Sequence, residues 1–350
     1  MSAQLLWLDY SQKARWQEVI TMLPLDKQDI YFSPEYLELY ANENTKANCY
    51  VFIEKDNIYM YPFMKGNVPG APGYFDMCTP YGYGGPVANT VDPNFIRLAY
   101  EIFYDEAIKQ GAIAEVIKFH PLLDNRKSLM DIYHGNILKT CSTIYVDLKE
   151  NEDVLWSDVY THANRKNINK ARRIGMEVHV DQGEDAWKAF LNLYEETLIA
   201  NQAVGFYFFT PEYYKNLREK LVGQYTLVSC WLENHVIAVM LVLQGKTMAH
   251  CHLLGIDRKF LSSGVGNYLH HELIAWCRAK GYQFLHIGGG RTNDENDPLL
   301  SFKKNFSNEI ADFYIGESIL NEEVYHEVCD RWENENAGRQ QVGRLLKYRY

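Results

Sequence analysis

Gly281-Tyr-Gln-Phe-Leu-His-Ile-Gly-Gly-Gly290 organises the rest of the chain, together with Phe302-Lys-Lys-Asn-Phe306, which follows it after an acidic loop. We expect a helix to end at Gly281, a short apolar strand to follow, and the three glycines to let backbone amides approach a ligand. Lys303 then places a cation, desolvated by aromatic neighbours, beside these donors, which suits an oxygen that gains negative charge during a reaction. A strand, a loop and a buried Phe pair, with Lys303 reaching out to water, is the alternative interpretation.

The composition limits the class of protein. A chain of 350 residues favours two domains, and 47% hydrophobic residues with 26 Tyr and 7 Trp are enough for two cores. The net charge of −10 argues against a general nucleic-acid or anionic-membrane binder. The N-terminus lacks a basic region followed by an apolar run, residues 236–243 are too short an apolar stretch to cross a bilayer, and the 7 cysteines show no C-x-x-C spacing. These features predict a cytoplasmic protein with reduced thiols and no membrane span.

An internal repeat is the clearest organisational pattern. Tyr31-Phe-Ser-Pro-Glu-Tyr36 and Phe208-Phe-Thr-Pro-Glu-Tyr213 each combine an aromatic pair, a Ser/Thr N-cap, a proline at the first helical position and a glutamate in the first turn. Each copy continues with a hairpin, which turns at Lys55-Asp56-Asn57 or at Glu233-Asn234, and with a later helix that ends in a glycine before a strand. Three matches in the same order indicate a duplication.

The repeat predicts an α/β (α+β) fold of two domains, each a mixed, mainly antiparallel sheet flanked by helices. We place an N-terminal domain at residues 1–148, a basic connecting helix at 149–178 and a C-terminal domain at 179–350. The helix itself is expected over residues 153–174, with Gly175 ending it.

The connecting helix concentrates positive charge in an acidic protein. Its basic residues are Arg165, Lys166, Lys170, Arg172 and Arg173. Apolar residues occupy the opposite side of the helical wheel, and no acidic residues alternate with the basic ones at helical spacing. This pattern favours phosphate binding, with a solvated surface as the alternative.

Three motifs carry a resemblance to a known family. Asn164-Arg-Lys-Asn-Ile-Asn-Lys-Ala-Arg-Arg-Ile-Gly-Met-Glu-Val178, the glycine strand and Phe302-Lys-Lys-Asn-Phe306 together resemble the Fem family of peptidoglycan-bridge aminoacyl transferases. Tyr81-Gly-Tyr-Gly-Gly-Pro86 looks like their acetyltransferase-like relatives from polysaccharide gene clusters. Both groups belong to the GNAT superfamily, and the likeness covers most of the chain, from the Ser33-Pro34-Glu35 helix start to about Ile315. It implies two GNAT-like domains in tandem, in agreement with the duplication.

The resemblance implies transfer of an acyl or aminoacyl group to an amine. In the family, the phenylalanine and lysine that match Phe302 and Lys303 lie at the reacting centre, where the lysine stabilises charge on the carbonyl oxygen. His120 stands where the family tends to carry an acidic residue before proline, and it is a candidate to take the proton of the attacking ammonium. A hydrogen-bonded histidine at a strand end is the alternative. His252 falls where the family often has a tyrosine facing the cavity, and His250 is expected to share its face.

The candidate substrate-binding residues are Phe302, Tyr81, Tyr83, Gly84, Arg165, Lys166, Lys170, Gly289 and Arg291. If the segment after the acidic loop is extended, Lys304 points away from Lys303. The acidic loop, Asn293-Asp-Glu-Asn-Asp297, lacks EF-hand spacing, so we expect a solvated flexible loop and no metal. No H-E-x-x-H, G-x-S-x-G or G-x-x-x-x-G-K-[ST] motif occurs in the sequence.

The donor is indicated less directly. Gly264 and Gly266 open a helix, as in acyl-CoA enzymes that bind pyrophosphate there, but Leu261 occupies the position expected to be polar. Glu35 and Glu38 stand where peptidoglycan-specific members tend to place a basic residue for the nucleotide diphosphate. We therefore expect acyl-CoA, such as acetyl-CoA, as donor, with aminoacyl-tRNA as the alternative.

The sequence as a whole predicts an N-acyltransferase acting on an amino group of a cell-envelope or polysaccharide sugar precursor. Its acceptor is expected to be a small amino sugar or nucleotide sugar. One alternative is an aminoacyl-tRNA-dependent peptidoglycan-bridge transferase, with tRNA as its partner. The other is a non-catalytic module that binds a nucleotide sugar.

Overall fold

The computed structural model of the protein describes residues 3–181, 183–203, 205–337 and 344–349. In these ranges the strands are β1 Gln4–Asp9, β2 Thr45–Glu54, β3 Asn57–Asn67, β4 Phe75–Cys78, β5 Val87–Ala88, β6 Ala112–Lys118, β7 Asn136–Asp147, β8 Met176–Asp181, β9 Tyr225–Leu232, β10 His235–Gln244, β11 Met248–Ile256, β12 Phe284–Gly289 and β13 Ile310–Ile319. The helices are α1 Lys13–Thr21, α2 Pro34–Glu38, α3 Pro93–Lys109, α4 Glu152–Val154, α5 His162–Arg173, α6 Glu184–Ala200, α7 Pro211–Lys220, α8 Val265–Ala279, α9 Pro298–Lys303 and α10 Glu322–Glu335. A short π-helix, Leu155–Val159, follows α4 directly.

The first of two compact units comprises the described residues of Met1–Thr140 and Asp312–Tyr350. Its sheet has the strand order β1-β2-β3-β4-β6-β13, with β5 beside β3. The parallel pair is β4 with β6, and the other neighbours are antiparallel. The β2–β3 hairpin turns at Lys55 and Asp56, as the sequence predicts. Helix α3 packs on the sheet through Phe103, whose ring centroid lies 5.1 Å from that of Tyr61.

The second unit is Cys141–Ala311, and its strand order is β8-β9-β10-β11-β12-β7. The parallel pair is β11 with β12, and the other neighbours are again antiparallel. Helices α5 and α8 pack against each other, and Ile168, Leu269 and Leu273 are fully buried in the core that these helices cover. Helix α6 packs against β10 and β11. The unit therefore has helices packed on one mixed sheet.

The two units share one arrangement of strands: four antiparallel strands, a fifth that is parallel to the fourth, and an antiparallel sixth. The repeated helix starts also match. Ser33 Oγ accepts a hydrogen bond from Tyr36 N, and Thr210 Oγ1 accepts one from Tyr213 N, both at 3.2 Å. The predicted α/β class, with mixed, mainly antiparallel sheets and flanking helices, is confirmed, and the repeat extends to the order of the strands.

The units differ from the predicted segments 1–148, 149–178 and 179–350 because the sixth strand of each sheet comes from a distant part of the chain. Strand β6 pairs with β13, from Ile315↔Lys118 to Ile319↔Ala114, although the second unit lies between them in sequence. Strand β12 pairs with the end of β7, which lies before most of that unit. Pairing over such separations leaves no pattern within either segment.

The continuous helix predicted over residues 153–174 is interrupted. The π-helix ends at Val159, and α5 begins at His162 after Thr161, whose hydroxyl accepts from Asn164 N at 3.1 Å and caps the helix. Gly175 follows the end of α5 with a φ of 83°, as predicted. The basic residues thus lie on a shorter helix inside the second unit. Within the described ranges, no helix has the length and apolar character needed to cross a membrane.

Candidate active site

Strands β11 and β12 separate at their carboxyl ends. They are hydrogen-bonded neighbours over three residue pairs, the last of which joins His250 and His286. Beyond that pair, β11 continues beside β10 to Ile256, whereas β12 continues beside β7 to Gly289. The register of β12 with β7 also shifts after His286, and such a bulge bends a strand. A gap therefore opens between the two parallel strands.

Lys303 brings its ammonium to this gap. Its Nζ donates to the carbonyl oxygen of Gly289 over 2.7 Å, and a Cβ atom on Gly288, whose φ is 83°, would lie 3.3 Å from Nζ. Burial lowers the pKa of Lys303 to about 8, although nearby thiols and a carboxylate oppose this shift. One of those thiols, Cys251, belongs to β11. The structure thus brings Lys303 and the glycine turn together.

Phe302 and Phe306 pack α9 and the residues after it against α8. The ring of His270 stacks on Phe306 with 5.0 Å between centroids and meets Phe302 edge-on at 5.4 Å. His270 Nδ1 donates to the Gly266 carbonyl over 2.8 Å, and burial lowers the pKa of this histidine to about 4. His270 is therefore neutral at pH 7. The two phenylalanines contribute an apolar wall beside the lysine that stands between them in sequence.

The segment around Lys303 is helical, so the extended conformation considered for it is wrong. Lys303 ends α9, and Lys304 N still bonds to Leu300 O at 3.0 Å. Adjacent residues of a helix point about 100° apart, because there are 3.6 residues per turn. Lys304 is exposed while Lys303 is half-buried. The two lysines therefore still occupy different environments.

Amide side chains that the sequence analysis missed hold this motif in place. Asn164 on α5 donates from Nδ2 to the carbonyl of Asn305 over 2.7 Å and accepts from Asn267 Nδ2 of α8 over 2.8 Å. Thr161 donates to Asn305 Oδ1 over 2.9 Å. Asn164 and Asn267 are buried, and a satisfied buried network rigidifies the elements that carry it. Asn164 and Asn305 belong to the motifs that resemble the Fem family, but the sequence spacing of these residues did not indicate that they are in contact.

His252 lies at a β-bulge, since the pairing of β11 with β10 shifts between Leu241 and Val242. The bulge interrupts the alternation by which His250 and His252 were expected to share a face. His252 Nε2 is hydrogen-bonded to Tyr213 Oη at 3.0 Å. Burial, with a smaller contribution from His250, lowers the pKa of His252 to about 3, so its ring is neutral at pH 7. Tyr213, which the sequence analysis did not select, belongs to the repeated Thr-Pro-Glu-Tyr motif.

Gly264 and Gly266 lie where helices meet. Gly264 precedes α8 with a φ of 89°, and a Cβ atom there would overlap the carbonyl oxygen of Asn167 on α5. A Cβ atom on Gly266 would lie 3.4 Å from Phe302 Cζ. Close packing therefore accounts for Gly264 and fits Gly266. A role for either residue in binding pyrophosphate stays a prediction.

The basic residues of α5 have separate partners. Arg165 Nη1 donates to the carbonyl oxygens of Trp156, Ser157 and Tyr160 over 2.8, 3.1 and 2.5 Å, and so holds the π-helix. Lys170 Nζ donates to Ser262 O over 2.8 Å, and Lys166 is exposed. Arg165 thus has a structural use that the sequence did not indicate, and phosphate binding by this helix stays a prediction.

Residues 293–296 of the acidic loop have exposed side chains, and nearby backbone donates hydrogen bonds to the last residue of the loop, Asp297. Arg291 is exposed, its N–H donates to Asp297 Oδ2 over 3.1 Å, and its guanidinium donates to Asn201 Oδ1 over 3.0 Å. Asp297 is buried and caps α9, accepting from Leu299 N and Leu300 N. Its carboxylate therefore serves the protein backbone.

In the first unit, the candidate residues after β4 extend along the edge of β6. Thr79 N donates to Val116 O over 3.0 Å, Gly84 N donates to Lys118 O over 2.8 Å, and Gly84 bridges to the residue after β6. Asn125 Nδ2 donates to Gly84 O over 2.8 Å. Tyr81-Gly-Tyr-Gly-Gly-Pro86 thus continues the sheet where the β4–β6 pairing ends.

His120 is fully buried at the end of β6. Its Nδ1 accepts from Leu123 N over 3.2 Å, and its Nε2 lies 3.8 Å from Asp29 Oδ1. The rings of Tyr31 and Tyr83 meet it edge-on at 6.0 and 6.1 Å. The first unit therefore brings His120 and Tyr83 together around a buried carboxylate, while Lys303, Phe302, Gly288 and Gly289 meet within the second.

Residues 162–298 match the acetyltransferase (GNAT) domain family. The matched range lies inside the second unit and includes Gly264, Gly266 and the glycine strand, and it ends shortly before Phe302 and Lys303. No curated protein matches the chain by sequence.

Several solved structures share the fold. FemX superposes with a TM-score of 0.73 at 12% identity, covering 93% of this chain and 99% of that one. L-PGS from Bacillus licheniformis gives 0.56 at 13% identity, with 91% and 96% covered. A tandem GNAT protein from the clavulanic acid biosynthesis pathway gives 0.52 at 9% identity, with 90% and 98% covered. The resemblance to Fem-like tandem GNAT proteins is thereby confirmed, and the chain has a GNAT acyltransferase fold.

Proposed function

We propose that this protein is an N-acyltransferase whose reacting centre lies at Lys303 in the second unit. The observation that carries the proposal is a desolvated ammonium at the glycine turn, in the gap between β11 and β12. Acyl transfer to an amine passes through a tetrahedral state in which the carbonyl oxygen gains negative charge. A preorganised cation in a site with little water stabilises that state more than it stabilises the bound substrate.

Lys303 has the hydrogen-bonding capacity for this role. A protonated lysine carries three N–H donors, and one of them is directed at the Gly289 carbonyl. Among the described residues the other two have no acceptor, so they can be directed at a substrate oxygen. Because the pKa of Lys303 is about 8, the side chain is mainly a cation at pH 7. The neighbouring His270 is neutral at that pH and does not compete for the developing negative charge.

The two candidate histidines differ in what they offer as proton acceptors. A pKa of about 3 makes His252 a weak base, so we propose that it orients a substrate through its hydrogen-bonded pair with Tyr213. His120 lies 3.8 Å from the carboxylate of Asp29 in the first unit. We keep His120, rather than His252, as the proposed acceptor of the proton.

The acyl donor is either an acyl-CoA or an aminoacyl-tRNA. The match to an acetyltransferase domain supports an acyl-CoA donor such as acetyl-CoA. The likeness to FemX supports the aminoacyl transfer that the Fem resemblance implies, with aminoacyl-tRNA as donor. The net charge of −10 disfavours a tRNA partner unless a local basic surface receives it. We propose acyl-CoA as donor and, as acceptor, an amino group of a small amino sugar or nucleotide sugar used in cell-envelope or polysaccharide synthesis.

The test is an assay of purified protein with acetyl-CoA and a panel of amino sugars and nucleotide amino sugars, in which released coenzyme A thiol and acylated product are both quantified. Lys303→Ala should abolish most turnover, and Lys304→Ala is the matched control. Product formation from aminoacyl-tRNA but not from acetyl-CoA would replace the donor. Tight binding of a nucleotide sugar without turnover by the wild type, and unaffected by Lys303→Ala, would support a binding module instead.

A further inference from the structure

Asp297 is the most heavily hydrogen-bonded carboxylate near the glycine turn. Its Oδ1 accepts from Leu299 N over 2.8 Å and from Leu300 N over 3.0 Å. Its Oδ2 accepts from Arg291 N, Thr292 N and Thr292 Oγ1, each over 3.1 Å. Burial alone would raise the pKa of Asp297, but these hydrogen bonds outweigh it and hold the pKa below its usual range. The group is therefore a carboxylate at neutral pH.

The two oxygens serve two different parts of the chain. Oδ1 caps the first turn of α9, and Oδ2 holds the backbone that leaves the glycine turn. Gly290 fits this arrangement, because a Cβ atom there would lie 2.7 Å from Asp297 Cγ. One side chain thus fixes both the end of β12 and the start of the helix that carries Lys303.

Helix α9 needs such support because it has six residues. A helix of that length is not stable by itself in water. Its start is held by Asp297, and the residues after its end are held by Asn305, which contacts Thr161 and Asn164. Misplacing either end would move the Nζ atom of Lys303 away from Gly289.

We infer that Asp297 is a positioning residue for Lys303, holding the glycine turn and α9 in the arrangement that sets the ammonium against the Gly289 carbonyl. The catalytic consequence rests on the proposed function, whereas the arrangement itself does not. Asp297 also acts through its charge, since its carboxylate favours the protonated form of Lys303 against the effect of burial.

The groups that face Lys303 from the neighbouring elements make the charge effect measurable. They are Cys141 on β7, Cys251 on β11, His270 on α8 and Asp297 itself. Burial raises the pKa of the Cys251 thiol to about 12 and lowers that of His270 to about 4, so both are neutral between pH 6 and 9. A change in the titration of Lys303 on removal of the Asp297 charge is therefore not masked by these two groups.

Competitive labelling tests the inference without any substrate. Full-length protein is reacted with a trace of an amine-acylating reagent between pH 6 and 10, and mass spectrometry gives the labelling of Lys303 relative to exposed Lys304. In Asp297→Asn the charge is lost, and the single remaining acceptor oxygen serves either the cap or the loop. We expect the pH of half-maximal labelling of Lys303 (its midpoint) to be lower in Asp297→Asn than in the wild type. The labelling of Lys303 relative to Lys304 should rise. Thr292→Val keeps the charge and should leave the midpoint unchanged.

Turnover gives the second measurement. Asp297→Asn should lower kcat roughly tenfold to a hundredfold, the loss typical of a reacting group displaced by about an ångström, with KM little changed. Asp92→Asn is the matched control, because Asp92 also caps a helix through its side chain, in the first unit. If Asp297→Asn does not fold, Asp297→Ser, which keeps one cap acceptor, replaces it.

An unchanged Lys303 midpoint and labelling ratio in a folded Asp297 variant would overturn the inference and leave Asp297 as a helix cap. If labelling changes as expected but wild-type protein transfers no acyl group, the proposed function fails while the positioning role stands. If turnover falls equally in Asp92→Asn, the loss reflects stability alone and the inference also fails.

Discussion

The Nζ atom of Lys303 lies 2.7 Å from the carbonyl oxygen of Gly289, fourteen residues earlier in the chain. After the acidic loop, α9 returns the chain to the end of β12, where β12 is no longer paired with β11. A cation is thereby fixed beside glycine backbone, and a Cβ atom on Gly288 would lie 3.3 Å from its Nζ atom.

The first prediction follows from this contact. Lys303→Ala should lower kcat by about two orders of magnitude or more, because losing one donor to a developing oxyanion typically costs on the order of 2–4 kcal/mol of barrier. KM should change little, since the charge appears after binding. Steady-state kinetics with Lys304→Ala as control checks this, and equal losses in both variants would contradict the assignment.

The pH profile provides a second prediction. Lys303 acts as a cation, and burial sets its pKa at about 8, so kcat/KM should fall as pH rises through about 8 and not below it. Lys303→Arg retains its charge throughout, because a guanidinium does not lose its proton in this range. Its residual activity should lack that decline.

The acceptor amine also titrates, but it does so identically with both enzymes, so the difference between their profiles reports Lys303. A decline at the same pH in wild type and Lys303→Arg would assign the titration to the substrate.

Local sequence patterns predicted most of the helix starts, turns and helix ends of the fold. The Ser33 and Thr210 caps, the hairpin at Lys55 and the glycine after α5 depend on neighbours a few residues away, and the structure has all of them. The pairing of β7 with β12 and of β13 with β6 was not predictable in this way. It depends on pairing between residues such as Ile315 and Lys118, which nothing local encodes.

The candidate site was predicted where one residue's chemistry determines its use, and missed where side chains act together. Lys303 and the glycines were selected because a lysine between two phenylalanines, close to three glycines in sequence, is unusual. Asn164 and Asn267 were not, because an asparagine on a helix is unremarkable until its partners are known. Arg165 was selected for its charge. Its three carbonyl partners lie in or just after the π-helix before α5, and the sequence did not predict that break in the helix.

A third prediction separates structure from binding on α5. Arg165→Ala should lower the free energy of unfolding by roughly 2–4 kcal/mol, because several hydrogen bonds from a charged donor to backbone carbonyls are lost together. Lys166→Ala should stay within about 0.5 kcal/mol of the wild type, since Lys166 is exposed. Denaturant unfolding measures both.

Steady-state kinetics of variants in α5 tests whether its lysines bind phosphate. If Lys166 and Lys170 bind substrate phosphates, their alanine variants should raise KM and weaken its dependence on salt. Unchanged KM at low salt in both variants would identify a solvated surface.

A fourth prediction concerns the packing of α5 on α8. Gly264→Ala combines a φ of 89° with a Cβ atom that overlaps the Asn167 carbonyl, so it should be destabilised by about 1–2 kcal/mol for the backbone and about 1–3 kcal/mol more for the clash. Gly175→Ala has a similar φ of 83°, but no atom of the described residues lies within 4 Å of the added carbon, so only the first cost applies. Equal unfolding midpoints for the two variants would contradict the close approach of the helices.

The last prediction concerns Glu115, which faces the aromatic core of the first unit and is 2% exposed. Burial raises its pKa from 4.5 in the unfolded chain to about 7, and the hydroxyls of Tyr133 and Tyr61 oppose this only in part. The folded state therefore holds this proton more tightly than the unfolded state does. Stability associated with Glu115 is complete below about pH 4.5 and is lost as pH rises through about 7.

The shift from 4.5 to about 7 corresponds to at most about 3–4 kcal/mol, because one pKa unit is about 1.4 kcal/mol. Glu115→Gln removes the titration, so its stability relative to the wild type should improve by up to that amount between pH 4.5 and pH 8. Calorimetric unfolding across this range measures the difference, with Glu43→Gln, at an exposed position of the same unit, as the control. A constant difference between Glu115→Gln and wild type across the range would show that Glu115 does not titrate between these pH values.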